Sequence, residues 1–74
     1  MKSAAAASVN LIVNGQPQQV PGGLTAAGLL ERLKLPLKGV AIELNEQIVP
    51  RGRLAETELH DGDRLEVVSL VGGG

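Results

Sequence analysis

Apolar residues recur along this chain with two different periods, and the points where the period changes divide it into elements. Residues 9–13, Val-Asn-Leu-Ile-Val, alternate well enough to predict a strand with Val9, Leu11 and Val13 on one face. Asn14-Gly15 follows, a dipeptide suited to a two-residue hairpin because both turn positions need positive φ. Residues 18–20 then return as the partner strand. Pro17 and Pro21 bracket that return, and proline has no N–H to give to a ladder, so an edge strand or a pair of strand ends is expected. After Pro21-Gly22-Gly23 the period changes to about 3.6 and a helix is predicted. Thr25 caps it, with Leu24 placed to pack on Leu29 as a hydrophobic staple. Ala26, Leu29, Leu30 and Leu33 form its apolar stripe, while Glu31, Arg32 and Lys34 face water. Gly28 costs about 1 kcal/mol relative to alanine inside a helix, so a close helix-to-sheet contact or a local weak spot is expected there. Pro36 closes the helix by steering Leu35 out of helical geometry.

The second half returns to a period of two. Val40, Ile42 and Leu44 point inward from a third strand and Glu43 outward. Asn45-Glu46 makes a turn, Gln47-Ile48-Val49 is a short fourth strand ended by Pro50, and residues 51–58 form an irregular connection anchored by Leu54. Residues 59–63 turn the chain into its longest strand, residues 64–71, with Leu65, Val67 and Ser69 toward the helix and Glu66, Val68 and Leu70 outward. A hairpin followed by a single helix cannot close a doubly wound sheet, which needs repeated crossovers. One helix across a mixed sheet of four or five strands, the last strand beside the first, is the economical arrangement. The expected fold class is therefore α+β, a β-grasp. Residues 1–8, rich in Ser and Ala, read as a loose leader, residues 9–71 as the domain and residues 72–74 as a flexible glycine tail.

Composition narrows the chemistry. The 74 residues contain no cysteine, which removes disulfides, thiol catalysis and thiolate metal sites, and suits a reducing compartment. There is no Phe, Trp or Tyr, so bases have nothing aromatic to stack on, and a net charge of -1 gives no basic footprint. Nucleic acid is not an expected partner. No apolar run approaches the roughly 20 residues of a membrane span, and no signal-peptide pattern opens the chain. A cytoplasmic protein is expected.

Few residues offer chemistry. His60, the sole histidine, has no thiol partner for a zinc site and reads as a surface residue before a turn. Asp61-Gly62-Asp63 lacks the further oxygens of a calcium loop and has the composition of a turn. Gly22 and Gly23 precede a helix but lack the Lys-Ser/Thr ending of a phosphate loop. No nucleophile and base pair can be named, so the chain is not expected to be an enzyme. Two features remain. The chain closes in Gly72-Gly73-Gly74, which either frays or serves as a slim tail; extended, those residues reach roughly 10 Å and carry a carboxylate that can act as a nucleophile. Val68 and Leu70 lie on the outward face leading into that tail. They are either ordinary exposed aliphatics or a docking patch.

The residues at 40–51 (Val-Ala-Ile-Glu-Leu-Asn-Glu-Gln-Ile-Val-Pro-Arg), 59–68 (Leu-His-Asp-Gly-Asp-Arg-Leu-Glu-Val-Val) and 71–74 (Val-Gly-Gly-Gly), with the helix at 24–33, closely resemble the thiamine-biosynthesis sulfur carrier proteins. The likeness runs from about Val9 onward; the alanine-rich leader departs from it. It implies a ubiquitin-like carrier with no cofactor of its own. An adenylyltransferase using MgATP would convert the Gly74 carboxylate to an acyl adenylate, and a persulfide sulfur donor would replace AMP to leave a thiocarboxylate. Thiazole synthase would then take the sulfur. Gly72 and Gly73 would thread the partners' sites, and Val68 and Leu70 would contact the partners. The small subunit of molybdopterin synthase is the alternative within the class, although its members more often carry prolines and aromatics before the tail. A β-grasp binding or regulatory module, which needs no free glycine end, is the alternative outside it.

Overall fold

The computed structural model describes residues 7–69 of the chain. Ser8–Val13 (β1) and Gln16–Pro21 (β2) form the first hairpin, joined by Asn14-Gly15 with φ of 51° and 81°. Both values are positive, as the mirror-image turn requires. Ala26–Arg32 is the helix (α1), followed by Val40–Leu44 (β3) and Gln47–Val49 (β4). A short 3-10 helix, Arg51–Glu56, then leads to Arg64–Ser69 (β5). The strands make one five-stranded sheet in the order β2-β1-β5-β3-β4. β5 lies parallel to β1 and antiparallel to β3, so the last strand sits centrally beside the first, as the β-grasp arrangement demands.

Inward-facing residues of the sheet and the stripe of the helix share one aliphatic core. Leu11, Leu29, Leu30, Ile42, Leu54, Leu59 and Leu65 are its fully buried large side chains. Burying a leucine or isoleucine stabilises by roughly 1.5 to 3 kcal/mol, which is how a chain with no aromatic residue holds a domain of this size. Leu54 anchors the 3-10 helix as expected. Leu59, expected only as part of a turn, is fully buried as well, because its N–H donates to the Leu24 carbonyl at 2.9 Å and draws the loop under the helix.

Several expectations are corrected. β2 extends through both prolines instead of lying between them: Pro17 is opposite Ile12 and Pro21 opposite Ser8. The sheet tolerates this because β2 is an edge. The helix ends before Pro36 can act. Lys34 turns left-handed (φ 61°), its N–H donates to the Glu31 carbonyl at 3.0 Å, and the Leu35 N–H reaches the Leu30 carbonyl at 2.9 Å. That is a Schellman close, with lysine at the position glycine usually holds. Gly28 does not approach the sheet. A Cβ there would meet Leu24 Cδ1 at 2.7 Å, so the glycine makes room for the leucine beside the cap. Ser69 is exposed, although its place opposite Val40 keeps it on the same face as Leu65 and Val67.

Candidate functional site

β5 delivers the chain toward its terminus, so its surroundings define the site. The strand begins between two neighbours: Arg64 and Leu65 lie beside Ile12 and Val13 of β1, and Leu65 lies beside Leu44 of β3. Beyond Val13 the β1 hairpin turns away, and the Asn14 side chain takes over its role. Asn14 Oδ1 accepts from the Val67 N–H at 2.8 Å and Nδ2 donates to the Val67 carbonyl at 3.4 Å. A carboxamide presents the same donor and acceptor as a peptide group, so it extends the ladder by one unit without extending the strand. Past Val67, among the described residues, only β3 continues, with Ala41 opposite Val68 and Val40 opposite Ser69.

Val68 is 48% exposed, on the face of the sheet away from the helix, where it was expected. Leu70, Gly72, Gly73 and Gly74 lie outside the described residues, as does the carboxylate. Ile48 joins the site although the sequence reading passed over it. At 69% it is the most exposed of the large exposed hydrophobic residues described, and it stands opposite Glu43 on that same outer face. The signal was present: Glu43 points out, and a two-residue turn at Asn45-Glu46 places residue 48 across from it. Ala41, Pro50 and Arg51 line a shallow groove with Ile48.

The other candidates are occupied by structural work. Asp61 Oδ1 accepts from the Asn10 backbone N–H at 2.7 Å. Asp63 Oδ2 accepts from the His60 N–H at 2.7 Å, and its Oδ1 accepts from Asn45 Nδ2 at 3.0 Å. Asn45 Oδ1 in turn accepts from the Arg64 N–H at 3.0 Å. These carboxylates hold the turn that starts β5, and no group of three or more potential metal ligands occurs among the described residues. Gly22 gives its N–H to the Ala7 carbonyl at 3.2 Å, so that amide is not turned toward a phosphate. No helix among the described residues is long and apolar enough to cross a membrane.

The ThiS family model matches residues 11–74. The chain is 35% identical to the sulfur carrier protein ThiS of Escherichia coli over 66 residues, covering 89% of this chain and 100% of that protein. It is 36% identical to a thiazole synthase of Paramagnetospirillum magneticum over 66 residues, covering 89% of this chain but 20% of that protein. A thiazole synthase of Magnetococcus marinus is matched over 19% of its length, so the chain spans about a fifth of such relatives. The crystal structure of the thiamine biosynthesis protein ThiS from Geobacter metallireducens superimposes with a TM-score of 0.74 at 38% identity, covering 89% of this chain and 100% of that one.

Proposed function

The chain belongs to the ThiS family, and on that premise we propose that it is the sulfur carrier of a thiamine pathway, a substrate for partner enzymes instead of an enzyme itself. The observation that carries the reading is the match along the full length of a sulfur carrier together with a central strand that leads the chain out of the core toward Gly74.

A carboxylate is a poor electrophile until one of its oxygens becomes part of a good leaving group. In the proposed cycle a Gly74 carboxylate oxygen attacks the α-phosphorus of MgATP in the adenylyltransferase, releasing pyrophosphate and forming an acyl adenylate. The outer sulfur of a persulfide then attacks the acyl carbon and AMP departs, leaving an acyl disulfide. A thiol cleaves that S–S bond, becomes a disulfide, and leaves the thiocarboxylate. Thiazole synthase receives the sulfur from it. Nothing in this sequence asks the carrier for an acid, a base or a bound metal. It asks for a terminus that can enter two active sites, and Gly72 and Gly73 suit that because they carry no side chain. Val68 and Leu70 belong to the surface that meets the partners. The cytoplasm, with its ATP and reduced thiols, is the compartment that fits.

The ThiS match favours thiamine over the molybdopterin alternative, and a regulatory module would not need the glycine end. Top-down mass spectrometry of protein incubated with its adenylyltransferase, MgATP and a persulfide source should find one oxygen replaced by sulfur on Gly74. Sulfur elsewhere, or none while the partner enzymes are demonstrably active, would sink the carrier reading.

A further inference from the structure

Two carboxylates face each other on the outer side of the sheet. The register of β3 on β5 places Glu43 directly opposite Glu66, both exposed, and the register of β4 on β3 places Ile48 on the other side of Glu43. Ile48, Glu43 and Glu66 therefore form one row across three strands, spanning about 10 Å at about 4.8 Å per strand. The next row on the same face, two residues closer to the tail, is Ala41 and Val68. Directly opposed residues have Cβ atoms about 4.5 to 5.5 Å apart, and like charges at that spacing destabilise a sheet. Among the described residues neither glutamate has an ion-pair partner. Arg64 shares the face, yet it makes no ion pair with either glutamate, and the ion pair found among the described residues joins Arg53 and Glu56 at 3.8 Å. These carboxylates also differ from Asp61 and Asp63, whose oxygens are spent on backbone and amide donors.

A second observation says where a partner must lie. Five residues, 70–74, separate Ser69 from the reacting carboxylate. Extended, they reach roughly 17 Å at about 3.3 to 3.6 Å per residue. An active site that takes the tail therefore lies within about that distance of the end of β5, where Val68 is an exposed apolar side chain. The pair at Glu43 and Glu66 lies one row, about 7 Å, further back, within the footprint of an ordinary interface.

We propose that Glu43 and Glu66 together receive an arginine side chain of thiazole synthase, with Ile48 and Val68 packing around it, when that enzyme takes the tail. This deepens the carrier reading and rests on it. A guanidinium carries a fork of N–H donors that matches carboxylate oxygens, and its flat faces accept apolar neighbours. A lone ammonium lacks both the fork and the flat faces. The occupant is thiazole synthase because a segment like this chain occurs within thiazole synthases. The repulsion carried by the free protein is relieved only in the complex, so the pair favours docking and contributes nothing to folding.

The test uses the full chain and purified thiazole synthase, with affinities measured by calorimetry at low and high salt. Glu43→Gln with Glu66→Gln should keep or raise the melting temperature, weaken binding at least tenfold at low salt and flatten its salt dependence. Ile48→Ala should weaken binding while leaving the salt dependence as it was. Wild-type binding matched by the Gln pair, with an equal salt slope, overturns the proposal while leaving the carrier reading intact. A melting temperature lowered by the Gln pair also overturns it, because the carboxylates would then be serving the fold. If the wild type accepts sulfur at Gly74 but does not bind thiazole synthase, the assigned occupant is wrong. If it does neither, the carrier reading itself has failed.

Discussion

The two halves of β5 differ in how many partners hold them. Leu65 is flanked by β1 and β3, is fully buried, and has the Asp63 and Asn45 side chains fixing the turn before it. Three residues later Val68 has a strand on one side only and is half exposed. Between them Asn14 supplies the last tether from the β1 side. The chain is released from the fold in steps: two strands, then one strand and a side chain, then one strand. A carrier needs that gradient, because its core has to be rigid enough to be recognised while its terminus has to leave. On the proposed function, folding energy and chemistry fall to opposite ends of one strand.

The strongest way to break this division is at the terminus. Gly73→Ala adds a methyl group beside the reacting residue, and it restricts φ there. A misplacement of about 1 Å at a reaction centre costs roughly a hundredfold in rate, so the adenylation rate should fall by about that much. The stability should stay within the small range of a surface substitution, roughly 0.5 kcal/mol, so the melting temperature should barely move. Single-turnover adenylation and a thermal melt on the same preparation measure both. Equal rates contradict a narrow active site, and a large drop in melting temperature makes the tail part of the fold.

A smaller effect is expected at the step between the halves. Asn14→Gly preserves positive φ at both turn positions, since Gly-Gly also suits the turn, but it removes both bonds to Val67. The loss should be about 1 kcal/mol, within the usual net range for such bonds. Hydrogen exchange at the Val67 amide should rise while that at Leu65 is unchanged. Equal changes at both amides would show β5 to be held as one unit, without a gradient.

Local sequence carried much of this. Asn14-Gly15 announced its hairpin, Thr25 its cap, and the alternation of Val9, Leu11 and Val13 their inward face, because each depends on φ preferences or periods within a few residues. What local reading missed depends on distant partners. Leu59 stands in a polar stretch with no period, and its burial follows from a bond to Leu24, 35 positions earlier. The Asn14 tether spans 53 positions. Lys34 gave no hint of a left-handed helix end, since lysine has no preference for that conformation. At the site, the outward direction of Val68 followed from alternation. The row of Ile48, Glu43 and Glu66 needed the registers of two strand pairs, which a single period cannot supply.

The smallest expected effect lies at the anchored end and has the opposite sign. Asn45 and Glu46 form the two-residue loop between β3 and β4, with φ of 50° and 71°. Asparagine tolerates this region, whereas a residue such as glutamate pays roughly 1 to 2 kcal/mol for it. The strain persists because Asn45 is committed to β5: its backbone N–H donates to the Arg64 carbonyl at 2.8 Å and its side chain accepts from the Arg64 N–H. Glu46→Gly removes the strain while keeping the turn, against the larger chain entropy that glycine loses on folding. The net gain should be about 0.5 to 1 kcal/mol in denaturant unfolding, by the same two terms. Sulfur loading at Gly74 should not change, because the relief occurs where β5 enters the sheet and the chemistry occurs where it leaves. If loading changed together with stability, the two ends of the strand would be coupled, and the division of labour along β5 would have to be given up.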